Sequence, residues 1–188
     1  MGATWARAVR ILPRGEPGAF PAPAIVAAAM NPCKCAWLGH PKRGCKCTPT
    51  DLARYAAWVS GPVLDRLDLQ IEVPALTSDE LLRASPGESS EAMRGRVLAA
   101  RDRQRERGSL NAMLSNAALR QHCALNSAGT RLIADAVDRG GMSARAVHRA
   151  LRVARTIADL AGEEHVSALR LAEALQYRAY EARKLVAG

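Results

Sequence analysis

Four cysteines fall within 15 residues, as Cys33-Lys34-Cys35 and Cys45-Lys46-Cys47 with nine residues between the pairs. Four thiolates can surround one zinc ion tetrahedrally and so close the loop that separates them. In a reducing compartment such a set reads as a metal site before it reads as two disulfides. Lys34, Lys42, Arg43 and Lys46 flank the sulfurs; they are expected to offset the thiolate charge and to lower the thiol pKa values. The usual knuckle is C-x-x-C, whose spacing lets backbone amides face the sulfurs, and C-x-C is tighter. A second reading therefore stays open, a reduced and redox-labile loop. His40 lies between the pairs and could stand in for one sulfur. Cys123 is alone in a helical stretch and reads as a small core residue.

The rest of the chain must supply the core. It has 188 residues, 48% of them apolar, enough for one domain or two small ones. Aromatics make up only 4%, while Ala, Leu and Arg dominate, a mixture that favours helix over sheet. The formal charge of +9 and the pI near 10.0 suit a polyanion such as DNA. The competing reading is a solvated arginine-rich surface, because the arginines are spread along the whole chain. No run of about 18 apolar residues exists, which excludes a membrane-spanning helix. The apolar stretch from Ala22 to Met30 is short and runs into Asn31-Pro32-Cys33, so no signal peptide is expected and the protein is placed in the cytoplasm.

Along the chain, the alternation from Ala3 to Val9 and the turn-rich Pro13–Gly18 predict two short strands around a long turn. Ala24–Ala29 is a continuous apolar run before Met30-Asn31-Pro32, the pattern of a buried parallel strand. Thr50-Asp51 is expected to cap a short helix over 50–58, broken by Gly61-Pro62. Leu69–Val73 alternates like a strand. After Pro74 strand signals vanish, and the domain boundary is set near residue 80. Helices are expected from the Pro86–Ser90 cap to about Arg107, over 115–123 and 127–139, from the Ser143 cap to about Ala161, and from about Val166 to about Arg183. In the Ser143 helix Val147, Ala150, Leu151, Ala154, Ala158 and Ala161 share one face. Arg145, His148, Arg149, Arg152, Arg155 and Asp159 share the other, expected to be solvated.

These segments, taken in order, resemble the ComM-type, magnesium-chelatase-like (YifB-like) AAA+ ATPases. The likeness is carried by Val26–Cys33, the CxC…CxC insertion directly after it, Cys47-Thr48-Pro49, Tyr55 and Ser60–Leu69. It continues through Leu110-Asn111-Ala112, Met142–Arg145, Leu151–Leu160 and Glu173–Arg178, covering roughly residues 22–180. The resemblance implies a mixed α/β, mainly helical fold: a partial AAA+ core over 1–80, with a sensor-1 strand and the strand after it, and a helical lid over 81–188. It also implies roles. Asn31 would be sensor 1, orienting the attacking water with an amide that both donates and accepts. Arg66 would be the arginine finger reaching a neighbour's ATP, and Arg145 the sensor 2 of the lid. By residue type alone these are an Asx turn before Pro32, an ion pair with Asp65 or Asp68, and a solvated basic face. Members form homo-oligomeric rings, use ATP with magnesium, and are implicated in DNA branch migration during natural transformation.

The chain departs from that pattern. The phosphate loop G-x-x-x-x-G-K-[ST] is absent, as is a strand ending in adjacent acids. Lys34 stands where these proteins usually carry proline and Ala36 where they usually carry glycine. The turn Arg14–Gly18 does not look like the family's short turn in the hairpin before sensor 1. The expectation is a C-terminal part of a ring ATPase that does not hydrolyse ATP alone and needs a nucleotide-binding half from elsewhere. A stand-alone basic DNA-binding module with a zinc loop, and a non-functional remnant, are the alternatives.

Overall fold

A computed structural model describes residues 8–11, 18–21, 25–58, 67–83, 85 and 87–178. The chain forms two compact units, Met1–Arg66 and Leu67–Gly188. In the first, β1 (Ala8–Ile11) and β2 (Gly18–Pro21) pair antiparallel with Ala8 opposite Pro21 and Ile11 opposite Gly18. The expected hairpin is present, with its first strand running later than the Ala3–Val9 alternation suggested. Residues 1–7 and the Arg14–Gly15 turn lie outside the described residues.

Helix α1 (Pro49–Trp58) starts from a reciprocal cap. Thr48 Oγ1 accepts the Asp51 amide, and the Asp51 carboxylate accepts the Thr48 amide and hydroxyl. The cap is Thr48, not Thr50, and Pro49 takes the first helical position, where a missing N–H costs nothing. The expected break at Gly61-Pro62 lies outside the described residues.

Neither strand expected from the apolar runs forms. Residues 25–30 have no regular secondary structure and are all exposed, Ile25 at 96%. Residues 69–73 are likewise irregular, with Ile71 and Val73 exposed. A strand exists only through hydrogen bonds to a neighbour, and among the described residues no strand lies beside either segment. The described fold is therefore mainly helical with one two-stranded ribbon, and the described residues do not show the expected α/β core.

The second unit contains α2 (Ser78–Arg83), α3 (Ser90–Glu106), a 3₁₀ turn at Asn111–Met113, α4 (Asn116–His122), α5 (Ser127–Asp138), α6 (Ala144–Ala161) and α7 (Ala168–Gln176). Five starts are set by residues that stop a helix from extending backward. Ser89, Ser115, Asn126, Ser143 and Ser167 each accept an amide of the following first turn; such a cap contributes about 1 kcal/mol. Helix α2 repeats the α1 device, with Thr77 and Glu80 exchanging hydrogen bonds. Helix α6 ends in a Schellman arrangement: Gly162 has φ +78°, its amide reaches the Asp159 carbonyl, and the Glu163 amide reaches the Ala158 carbonyl. Helix α7 ends at Gln176 rather than near Arg183, and residues 179–188 are outside the described set.

The core forms where α6 and α7 meet α4 and the 3₁₀ turn: Leu114, Leu119, Cys123, Ala154, Ala158, Val166, Leu171 and Ala174. Ala150, Ala154 and Ala158 are wholly buried, the narrow alanine seam that the periodicity predicted. Ala161, at the helix end, is exposed. Cys123 is buried, as expected, and burial pushes its thiol up to about 11, which makes it a poor nucleophile and ligand at neutral pH.

The solvated-face expectation fails at two positions. Arg155 is 1% exposed and Asp159 0%. The Asp159 carboxylate accepts from Arg107 through both oxygens, from Arg155 Nε at 3.2 Å and from Asn111 Nδ2 at 2.7 Å. Arg155 donates onward to the carbonyls of Glu163 and Glu164 at 2.6 and 2.7 Å. Arg103 donates to the Asp159 carbonyl at 2.9 Å. Charges enter the core here because every oxygen finds a donor.

Asp159→Ala leaves two guanidinium groups facing each other without an anion. It is expected to lower unfolding stability by about 3–5 kcal/mol, read as a fall in the urea midpoint. At the α6–α7 turn, Arg170 bonds to Glu163 and holds that carboxyl below its ordinary 4.5. A depressed carboxyl adds stability above its unfolded value and loses it as pH falls. The protection of the turn amides, measured as exchange relative to the intrinsic rate at each pH, is therefore expected to fall below about pH 4.5.

Candidate metal centre

The cysteine loop begins where the extended apolar segment meets Pro32. The Ala36 amide bonds to the Cys33 carbonyl at 3.0 Å, and this turn brings Cys35 back beside Cys33. Ala36 sits at φ +67°, left-handed backbone that costs an L-residue roughly 1–2 kcal/mol and glycine almost nothing. The sequence departs from the usual glycine at this position.

The four sulfurs converge. Cys33 Sγ lies 3.5 Å from Cys35 Sγ and 3.7 Å from Cys45 Sγ, and Cys35 to Cys45 is 3.5 Å. All four sulfurs, Cys47 included, lie within 4.8 Å of one another, and all are free thiols. A tetrahedral ion with metal–sulfur bonds of about 2.3 Å needs sulfur–sulfur edges of about 3.8 Å. The donor set thus fits one soft, four-coordinate cation. Cys33 is buried and the other three are half-buried.

Backbone amides, burial and the neighbouring sulfurs, rather than the flanking cations, set the thiol acidities. The Cys35 thiol is pulled down to about 6, first by the Lys46 amide and then by the Trp37 amide. At Cys45 the Cys47 amide, 3.4 Å from the sulfur, acts against burial and the neighbouring sulfurs, which together push it up to about 12. Lowering at all four positions was expected, but it occurs at Cys33 and Cys35 only, while Cys47 is raised. The tight C-x-C spacing still admits the amide–sulfur contacts attributed to C-x-x-C.

His40 does not replace a sulfur. Its Nδ1 accepts the Lys42 amide at 3.1 Å and its ring meets Trp37 edge-on at 5.0 Å. Arg43 lies over the Trp37 ring, 4.3 Å from its centre. This stacked set was not singled out from sequence; the only signal was an aromatic and a basic residue inside a cysteine loop. Tyr55 of α1 donates to the Asn31 carbonyl at 2.8 Å, fastening the start of the loop to the helix that follows it.

Of the three residues assigned to nucleotide chemistry, two are described, one in each unit. Asn31 is exposed and gives its backbone carbonyl to Tyr55. Arg145 is exposed in the first turn of α6. Arg66 lies outside the described residues. The segment just after it is held by the helices of its own unit: Arg178 donates to the Leu67 carbonyl at 3.2 Å, Arg149 to Asp68 at 2.7 Å, and the Gln70 amide to the Tyr177 carbonyl at 2.8 Å. Asp68 and Arg149 are 81 residues apart, and no local pattern links them.

The family described as magnesium chelatase, subunit ChlI, matches residues 6–81, and magnesium chelatase, subunit ChlI C-terminal, matches residues 87–178. The competence protein ComM of Haemophilus influenzae is 42% identical over 163 residues, 85% of this chain and 31% of that protein. The uncharacterized protein YifB of Escherichia coli is 40% identical over 165 residues, 86% of this chain and 32% of that protein. An uncharacterized protein of Mycobacterium tuberculosis is 35% identical over 181 residues, 94% of this chain and 35% of that protein. The chain belongs to the ComM-type, magnesium-chelatase-like family, and it spans about a third of the length of these relatives.

Replacing Ala36 by glycine removes the left-handed strain of the closed loop, which an open, metal-free loop does not bear, so its effect is read on loop closure. Metal-free protein is expected to order the loop more readily, and apparent zinc affinity in a chelator competition to rise about five-fold, the equivalent of about 1 kcal/mol.

Proposed function

We propose that this chain is the nucleotide-sensing and lid portion of a ring-forming AAA+ ATPase that works on DNA. In this reading residues 1–80 belong to an α/β core carrying the cysteine loop, and residues 81–188 form the lid. The match boundaries at residues 81 and 87 support that division.

The observation that carries the reading is the three-point tie between residues 67–70 and helices α6 and α7. Arg66 directly precedes the tied segment, and Arg145 stands one helical turn before Arg149, which holds Asp68. A displacement of α6 is therefore felt at the backbone next to Arg66. That is the connection a ring needs between a lid residue that senses phosphate and a finger aimed at a neighbour's nucleotide. Each role suits its side chain. Arg66 brings a permanent planar cation to the charge that develops on the γ-phosphoryl group. Arg145 adds a cation to the positive end of α6. Asn31 can hold a water as donor and acceptor together.

The nucleotide itself needs a phosphate loop, and none of the 188 residues forms G-x-x-x-x-G-K-[ST]. ATP and magnesium are therefore held with sequence outside this chain. Zinc in the cysteine site would be structural, because four thiolates leave no open position for water. DNA is the partner that the +9 charge favours, and the name of the Haemophilus relative, a competence protein, directs the reading to DNA branch migration during natural transformation. The same charge favours a second reading, a basic DNA-binding module that acts without a ring.

The test is a chimera in which this chain replaces the matching 163 residues of Haemophilus ComM. Arg66→Ala is expected to cut its DNA-stimulated ATP turnover about a thousand-fold. Turnover that ignores this substitution sinks the finger assignment. A chimera that binds DNA as a monomer and never assembles favours the second reading. For zinc, protein purified under reducing conditions is expected to carry one ion per chain by elemental analysis, and a metal-free product removes that part of the proposal.

A further inference from the structure

The chain's positive charge is not evenly available. In the helical unit many arginines are already committed: Arg107 and Arg155 to Asp159, Arg149 to Asp68, Arg170 to Glu163 and Glu173, and Arg139 to Asp135. Lys34, Lys42, Arg43 and Lys46 of the cysteine loop differ. All four are exposed, and none is hydrogen-bonded or ion-paired through its side chain among the described residues. From Pro17 to Thr50 the sequence holds no Asp or Glu. The nearest following acid, Asp51, hydrogen-bonds to Thr48, and of the four cations Lys34 stands close enough to help hold its carboxyl below the ordinary value.

The loop cannot collapse around these cations. Its sulfurs converge on one point, Tyr55 fastens its start, and Ala36 and Gly39 turn it at φ +67° and +79°. The sulfurs take backbone amides as donors, and the four cations are exposed to solvent. Arg43 is the best prepared of them. Its Cζ lies over the Trp37 ring, while its N–H donors have no hydrogen-bond partner among the described residues and can meet a phosphate in a fork. Trp37 is half-buried beneath Arg43 and beside His40. It is not free to stack on a base, which points to contact with the backbone rather than with bases.

We infer that the cysteine loop is a phosphate-contacting knuckle that grips the DNA backbone through Lys34, Lys42, Arg43 and Lys46 without reading sequence. This rests on the proposed DNA-acting role and assigns part of it to one element. The sulfur site then serves to hold four cations at fixed separations, so that each contact releases counterions without first ordering a loose loop.

The experiment is fluorescence anisotropy of the metal-loaded chain on labelled duplex and single-stranded oligonucleotides of mixed sequence, between 50 and 200 mM salt. Combined alanine substitution of the four cations is expected to weaken duplex binding at least ten-fold at the low-salt end. It should also flatten the slope of log affinity against log salt by about 3 to 4, near 0.9 per phosphate contact. Metal content and circular dichroism serve as controls for folding. Arg120→Ala with Arg131→Ala, both exposed on the helical unit, is expected to change the slope by less than half as much. If the fourfold variant fails to hold metal, Lys42→Ala alone carries the test, with a slope change of about 0.9. Unchanged slope and affinity in the loop variants, with the parent binding DNA, overturn the knuckle and leave the DNA-acting role standing. An equal loss in the helical control also overturns it. A parent chain that binds neither oligonucleotide overturns both.

Discussion

The Asp159 carboxylate, wholly withdrawn from water, is the point on which the helical unit closes. Its two oxygens join Arg107 at the end of α3, Asn111 of the 3₁₀ turn and Arg155 one turn earlier on α6. Arg155 in turn ties down the Glu163 and Glu164 carbonyls of the turn that leads into α7. One anion thereby sets the positions of four pieces of backbone, two before and two after the pair of helices α4 and α5. Two guanidinium groups around one carboxylate leave a net positive charge in the core, and the carbonyl acceptors at Glu163, Glu164 and His122 offset it. A core so poor in aromatics has little side-chain shape with which to specify one arrangement. The directional ionic network supplies what the alanine seam lacks, since small side chains allow close approach but tolerate sliding.

The two units rest on different physics. The helical one is held by burial around α6 and by the Asp159 network. The described part of the other depends on sulfur convergence, one reciprocal helix cap and one tyrosine hydrogen bond, with an apolar segment at 25–30 that meets no strand among the described residues. A four-thiolate site suits such a place, because a bound ion contributes folding free energy where apolar burial is scarce. Ala36 works against that economy by occupying a left-handed position, and the loop closes in spite of it.

Residues 67–81 match the ChlI description, yet residues 67–70 are fastened to the helical unit by Arg178, Arg149 and Tyr177. Sequence kinship and physical contact thus assign this segment to different neighbours. In the proposed reading, a shift of α6 is felt at the segment that follows Arg66 in sequence.

Helix starts were legible because they are local. Ser89 and Ser143 act through atoms within three or four residues, and the alanine seam of α6 shows in a single helical period. The four sulfurs were legible for the same reason, being close in sequence. What only the tertiary structure decided was which charges are solvent-facing. Arg155 and Asp159 look in sequence like the polar face of α6. They are buried because Arg107 and Asn111, 52 and 48 residues before Asp159, arrive to satisfy them. The apolar runs at 25–30 and 69–73 show the converse. Their composition asks for a sheet, but a strand is a property of a pair, and no partner strand lies beside them in the described structure.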